Sequence, residues 1–225
     1  MSRVYEVKGK SIIKGTINVQ GSKNSSLAII VASLLAKDKL TLKNVPRIKD
    51  VEELLKILDE LNVTTYFKGN ELTIDSTNIN YKSLLIEQVK NYRASYYFIG
   101  AFLALFNKVE IYLPGGCQIG KRPIDQHIKA LNSLNVDICL NSNVVKADST
   151  NLIGNEISLD IPSVGATINI MLAAVRAKGK TVIDNAAKEP EIVNVATFLN
   201  NMGAKITGAG TSEITIYGVN YLHKA

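Results

Sequence analysis

A thiol and two cations stand within a few residues of one another in the run LPGGCQIGKRPID, Leu113 to Asp125. Neighbouring cations lower the pKa of a thiol, so Cys117, followed by Lys121 and Arg122, is a candidate reactive cysteine. The same two side chains suit a phosphate, arginine as a planar fork and lysine as a point charge. Gly115 and Gly116 allow the tight backbone bend that would carry the thiol. A surface turn with an incidental cysteine is the alternative that composition leaves open.

Three further stretches point to anion chemistry. Ser22-Lys23-Asn24-Ser25, Arg93-Ala94-Ser95 and Ser163-Val164-Gly165-Ala166-Thr167 each open an apolar run. A helix start presents free N–H groups and the positive end of the helix dipole, which favours anions. Any one of these starts alone reads better as ordinary capping by Ser, Asn or Thr. Three equivalent starts, two of them carrying a cation, point to a shared anion site.

The elements that must position these residues repeat three times. GSKNSSLAIIVASLLA, NYRASYYFIGAFLALF and PSVGATINIMLAAVRA are apolar on nearly every face, as helices inside a domain are. Each leads through a short strand and a turn into a second helix with apolar residues at helical spacing. These are Val51, Leu54, Leu55 and Leu58; then Ile124, Ile128 and Leu131; then Ile192, Val195, Ala196 and Leu199. The closing triplets Leu61-Asn62-Val63, Leu134-Asn135-Val136 and Met202-Gly203-Ala204 recur about every 70 residues. Alternation in ELTID and EITIY predicts closing strands. The expected fold is α/β, with three βαβαββ units around a shared helical core and no linker between them.

Composition bounds the function. A chain of 225 residues, 46% hydrophobic and 20% charged, describes an ordinary globular protein. The apolar runs Leu27 to Ala36 and Tyr96 to Phe106 are too short to span a bilayer, and MSRVYEVKGK has no apolar signal region. A cytoplasmic location is expected. Two cysteines give neither a disulfide framework nor a metal-ligand spacing, and no metal or other cofactor is expected. The net charge of +6 suits anionic substrates. Basic residues are scattered and tryptophan is absent, so a nucleic-acid platform is poorly supported. Small phosphorylated ligands fit better than nucleic acid or membrane.

Taken together, GSKNSSL (Gly21 to Leu27), YRAS (Tyr92 to Ser95), LPGGCQIGKRPID, PSVGAT (Pro162 to Thr167) and NAAKEPEIV (Asn185 to Val193) resemble the enolpyruvyl transferases. The cysteine loop points to the branch that opens peptidoglycan synthesis. The resemblance implies two domains of three repeats each, with buried helices and outer sheets, an inside-out α/β barrel. Residues 21–225 then correspond to the first domain. Residues 1–20 correspond to a strand segment belonging to the second, most of which lies outside this sequence. The implied reaction moves the enolpyruvyl group of phosphoenolpyruvate to the 3′-hydroxyl of UDP-N-acetylglucosamine and releases phosphate.

The resemblance also assigns roles. Cys117 matches the proton donor that forms an adduct with phosphoenolpyruvate and is the target of fosfomycin. Lys23 and Asn24 match the pair that binds phosphoenolpyruvate and the sugar, and Arg122 the arginine that closes on phosphate. Arg93 matches an arginine of the nucleotide-sugar site, with Tyr97 at a position often aromatic. Pro123, Ile124, Asp125, Gln126 and His127 cover a contact segment for uracil and diphosphate, and Ser163, Val164 and Gly165 a second. Some members carry a lysine just before this Ser-Val-Gly, where Ile161 and Pro162 stand here. The family's second half supplies a carboxylate base and further arginines, so it is the expected partner that completes the site.

Other residues carry plainer expectations. His127 is either a solvent-side residue of an amphipathic helix or a diphosphate contact. Cys139, in VDICL, is expected in the core. Glu189, Glu191 and the acids from Asp50 to Glu53 are expected to serve helix starts. The rival functions are a 5-enolpyruvylshikimate-3-phosphate synthase, an RNA 3′-phosphate cyclase, and a UDP-sugar-binding fragment without turnover. The first should lack this cysteine loop, and the second lacks a histidine motif here.

Overall fold

Residues 4–10, 12, 14–90, 92–113 and 124–225 are described by the computed structural model. The first unit comprises α1 (Lys23–Ser33), β1 (Lys39–Leu42), α2 (Lys49–Asp59), β2 (Thr64–Lys68) and β3 (Glu71–Asp75). The second opens with the single turn α3 (Glu87–Lys90) and a 3₁₀ turn, Arg93–Tyr96. It continues through α4 (Tyr97–Phe106), β4 (Lys108–Tyr112), α5 (Asp125–Ser133), β5 (Asp137–Asn141) and β6 (Val144–Asp148). The third is β7 (Glu156–Ser158), α6 (Val164–Ala174), β8 (Lys180–Asp184), α7 (Pro190–Asn201), β9 (Lys205–Thr207) and β10 (Glu213–Tyr217).

The repeat expected from the sequence is present in the strand pairing. The sheets run β1-β3-β2, β4-β6-β5 and β7-β8-β10-β9, so each unit places its last strand between the strand that follows its inner helix and the strand that follows its outer helix. Register repeats as well, with Lys39 opposite Asp75, Lys108 opposite Asp148 and Lys180 opposite Tyr217. The closing triplets are helix stops. Asn62, Asn135 and Gly203 all have positive φ, the left-handed conformation that ends a helix and that Asn and Gly adopt most readily. Lys37, Asn107 and Gly179 do the same after the inner helices.

Inner and outer helices differ as their sequences require. Ile30, Val31, Phe98, Phe102, Ile168 and Leu172, from α1, α4 and α6, are fully buried. In α2 only the stripe Val51, Leu54, Ile57 and Leu58 turns inward. Two inner helices, α4 and α6, approach each other closely. A Cβ on Gly100 would lie 2.3 Å from the Asn169 carbonyl oxygen. At the same crossing the Gly100 amide donates to Asn169 Oδ1 at 2.8 Å, and Asn169 Nδ2 donates to the Gly165 carbonyl at 3.1 Å. Asn169 is thus a fully buried amide with both ends bonded, as burial demands.

The units differ in their opening strand. β7 pairs in parallel with the outer edge of β8, while the second unit keeps only an isolated parallel bridge from Leu84 to Ile111 on β4. Among the described residues no strand pairs with the outer edge of β1. Residues 4–10, 12 and 14–20 carry no regular secondary structure. Val4, Tyr5, Val7, Ile12, Ile17 and Val19 are all exposed there, with no neighbouring strand to take up the alternating pattern. Cys139 differs from expectation: on β5 it is exposed, because Asp137, Leu140 and Asn141 around it are also exposed and the strand buries little. Among the described residues no helix is long and apolar enough to cross a membrane, and no group of three or more metal-binding side chains occurs.

Candidate active site

Six helices begin at one cavity of about 800 Å³. The starts of the inner helices bring Lys23 and Asn24 from α1, Arg93 and Tyr97 from the approach to α4, and Ser163, Val164 and Gly165 from α6. Outer helices bring Asp50 from α2, Ile124 and His127 from α5, and Glu189 and Glu191 from α7. The convergence expected of the three inner starts is therefore observed, and it extends to the outer three. Helix starts gather N–H groups and dipole ends, which favour anions, while Asp50, Glu189 and Glu191 bring negative charge to the same cavity.

Each start is held by its own sequence. Ser22 caps α1, its Oγ accepting from the Ser25 amide at 3.4 Å, and Ser163 caps α6, accepting from the Ala166 amide at 3.3 Å. That leaves the Val164 and Gly165 amides in the open first turn. The residues after Ser22 are tied outward one by one. Lys23 forms an ion pair with Asp50, Asn24 Nδ2 donates to Glu191 Oε1 at 2.9 Å, and Ser25 Oγ accepts from Asn194 Nδ2 at 2.8 Å.

His127 is 7% exposed, which removes the solvent-side reading. Its ring stacks obliquely near Tyr96, with centroids 5.7 Å apart, and lies so close to Gly165 that a Cβ there would be 3.0 Å from Nε2. Neither ring nitrogen has a hydrogen-bond partner among the described residues. Burial without a counter-charge pushes its pKa down to about 4, so at neutral pH the imidazole is uncharged. Tyr92, on the same wall, is also buried with its hydroxyl unpartnered, and burial raises its pKa. Tyr97 is pushed up to about 12 by burial first and by Glu191 second, against a smaller opposing effect of Arg93.

Asp125 and Gln126 are not among the residues lining the cavity. Gln126 instead clamps Asp160, donating from Nε2 to Oδ2 at 2.8 Å and accepting the Asp160 amide at 2.9 Å. Lys129 pairs with the same carboxylate and, ahead of Gln126, lowers its pKa. This clamp fixes the segment that leads into Ser163. Cys117, Lys121, Arg122 and Pro123 lie outside the described residues. The acids read only as helix-start residues do stand there, Asp50 and Glu191 in first turns and Glu189 at the cap position. They also line the cavity, a role that sequence reasoning missed. The available signal was their placement at the starts of helices equivalent in the repeat.

Comparison with known proteins agrees with this architecture. UDP-N-acetylglucosamine 1-carboxyvinyltransferase 2 of Latilactobacillus sakei subsp. sakei is 50% identical over 218 residues, 96% of this chain and 52% of that protein. The protein of the same name from Staphylococcus epidermidis is 51% identical over 220 residues, 97% of this chain and 52% of its own length. The chain thus spans about half the length of the curated relatives it matches. Among solved structures, the enolpyruvyl transferase NikO from Streptomyces tendae superposes with a TM-score of 0.81 at 19% identity. That match covers 96% of this chain and 51% of NikO. EPSP synthase from Acinetobacter baumannii gives 0.74 at 18%, covering 93% and 48%. Both show the fold. Residues 7–225 match the family described as EPSP synthase (3-phosphoshikimate 1-carboxyvinyltransferase), and the chain belongs to that family of enolpyruvyl transferases.

Proposed function

We propose that this chain carries the nucleotide-sugar half of an enzyme moving the enolpyruvyl group of phosphoenolpyruvate to the 3′-hydroxyl of UDP-N-acetylglucosamine, with release of phosphate. The observation that carries it is the convergence of six helix starts, with Lys23 and Arg93, on one cavity. The relatives at about 50% identity bear the UDP-sugar name, whereas the EPSP synthase structure is 18% identical, which favours the UDP-sugar over the shikimate branch.

Chemistry assigns the roles. The alkene of phosphoenolpyruvate becomes electrophilic when its methylene carbon is protonated, so a general acid must face it. Cys117 is that acid, with Lys121 and Arg122 stabilising the thiolate left once its proton has been given up. The 3′-oxygen then bonds to the cationic carbon and its proton passes to a base. Loss of a methyl proton and of phosphate restores the alkene in the product. Lys23 and Arg122 hold the phosphate as its leaving charge develops. Arg93, Tyr97, Ile124 and His127 form the wall for the nucleotide sugar, and Pro123 and Asp125 are next to Ile124 in sequence. Gln126 acts through Asp160. The diphosphate meets Ser163 and the open amides of Val164 and Gly165. Neutral His127 contributes one N–H donor and no charge. The expected setting is the cytoplasm, at the first committed step of peptidoglycan synthesis.

A specific observation favours a second reading, binding without turnover. Among the described residues lining the cavity, Lys23 and Arg93 face Asp50, Glu189 and Glu191, three carboxylates to two cations. A trianionic donor needs more positive charge than this, from Lys121, Arg122 and a second domain that also brings the base. The test is phosphate release from phosphoenolpyruvate plus UDP-N-acetylglucosamine by this chain and by Cys117→Ala. Release that disappears in the variant supports catalysis. Absence of release with retained UDP-sugar binding supports the binding half, and absence of both overturns the proposal.

A further inference from the structure

We infer that Glu191 is a positioning residue that fixes the Asn24 side-chain amide so that its carbonyl oxygen, not its NH₂ group, is offered to a hydroxyl group of the ligand. This rests on the proposed UDP-sugar site and adds to it how the sugar is told from the nucleotide alone.

A side-chain amide is nearly symmetric in shape, and only its bonding partners decide which end points where. Here the partner decides. An ionised carboxylate only accepts hydrogen bonds, so the atom 2.9 Å from Glu191 Oε1 has to be Nδ2. Oδ1 is then on the side of the amide away from Glu191, and no other bond engages the Asn24 side chain among the described residues. Both residues line the cavity. The geometry is braced, because one helical turn further along α7 Asn194 holds Ser25, the next residue of α1. Two neighbouring residues on α1 are thus fastened to α7 across the interface between the first and third units.

The consequence is a selective acceptor. An amide free to rotate could meet either a donor or an acceptor on the ligand, but one locked through Nδ2 prefers a donor such as a sugar hydroxyl. A locked acceptor also avoids the entropy of ordering the side chain on binding.

Two measurements test this on the intact chain. In ¹⁵N–¹H NMR of the free protein, the Asn24 NH₂ pair is assigned by its loss in Asn24→Ala. One proton should lie downfield through its bond to the carboxylate and move toward the free-amide position in Glu191→Ala, which removes the acceptor. An unchanged position in that variant overturns the lock. In calorimetric titrations, Glu191→Ala should weaken UDP-N-acetylglucosamine roughly tenfold, the effect of about one hydrogen bond, and leave UDP unchanged. Equal losses for both ligands, or no loss for the sugar nucleotide, overturn the selective role. Failure of the wild type to bind either nucleotide would count against the proposed function, and the amide signal alone would then decide the lock.

Discussion

His127 shows how one residue can tie the site to stability. The folded chain holds its imidazole at a pKa of about 4, against about 6.5 when unfolded. Between those values the unfolded chain binds a proton that the folded chain does not, so stability rises with pH there. The contribution is complete above about pH 6.5 and is lost as pH falls through 4, amounting to about 3 kcal/mol for a shift of this size. His127→Gln should remove that dependence. Between about pH 7 and about pH 4.5 the urea midpoint of the wild type should fall by more than that of the variant if the neutral imidazole is the cause. The cysteines make a second residue-scale case. Because Cys139 is exposed, access does not protect it from an electrophile. Fosfomycin should nevertheless label Cys117 first, since only Cys117 has two cations close behind it in sequence. Peptide mapping showing equal labelling would remove its assigned role. Positions that line the cavity were legible where type and local position sufficed, as for Lys23, Arg93 and Ser163. Asp125 and Gln126 were assigned as a continuous stretch with Ile124 and His127, but helix geometry separates them. Residues three apart share a face, and neighbours are turned about 100° away.

At the scale of elements, the crossing of α4 and α6 leaves no room for a larger residue at Gly100. Adding a methyl group at Gly100 would press on the backbone carbonyl of Asn169, which cannot rotate aside as a side chain could. Gly100→Ala should therefore destabilise the chain by about 1–3 kcal/mol, the usual cost of overfilling a packed core, and lower its melting temperature. An unchanged melting curve would mean the two helices can part without cost. The helices and their stops were readable because their causes are local: apolar spacing, and Asn or Gly where the chain turns left-handed. Strand order within each sheet was not. Placing β3 between β1 and β2 depends on pairing between residues far apart in sequence, which no local pattern records. β7 has three residues, too few for an alternation to register.

For the molecule as a whole, threefold repetition brings the starts of six helices to one place, and function follows from that placement. The repeat explains why acids at Asp50, Glu189 and Glu191 could be read correctly as helix-start residues and still be missed as cavity residues. One property of the starts, their negative charge, is local. The other, their meeting point, belongs to the assembled fold. The edge of β1 that no strand pairs with among the described residues has a consequence for life in solution. An unpaired strand is a template on which a second copy can add and a fibre can grow. Lys39, Thr41 and Lys43 are exposed along this edge. Pairing of two copies centred on Thr41 would set Lys39 of one against Lys43 of the other, and like charges facing each other oppose the union. The lysines thus keep the edge soluble against its own kind, while a strand carrying carboxylates at alternate positions would find it attractive.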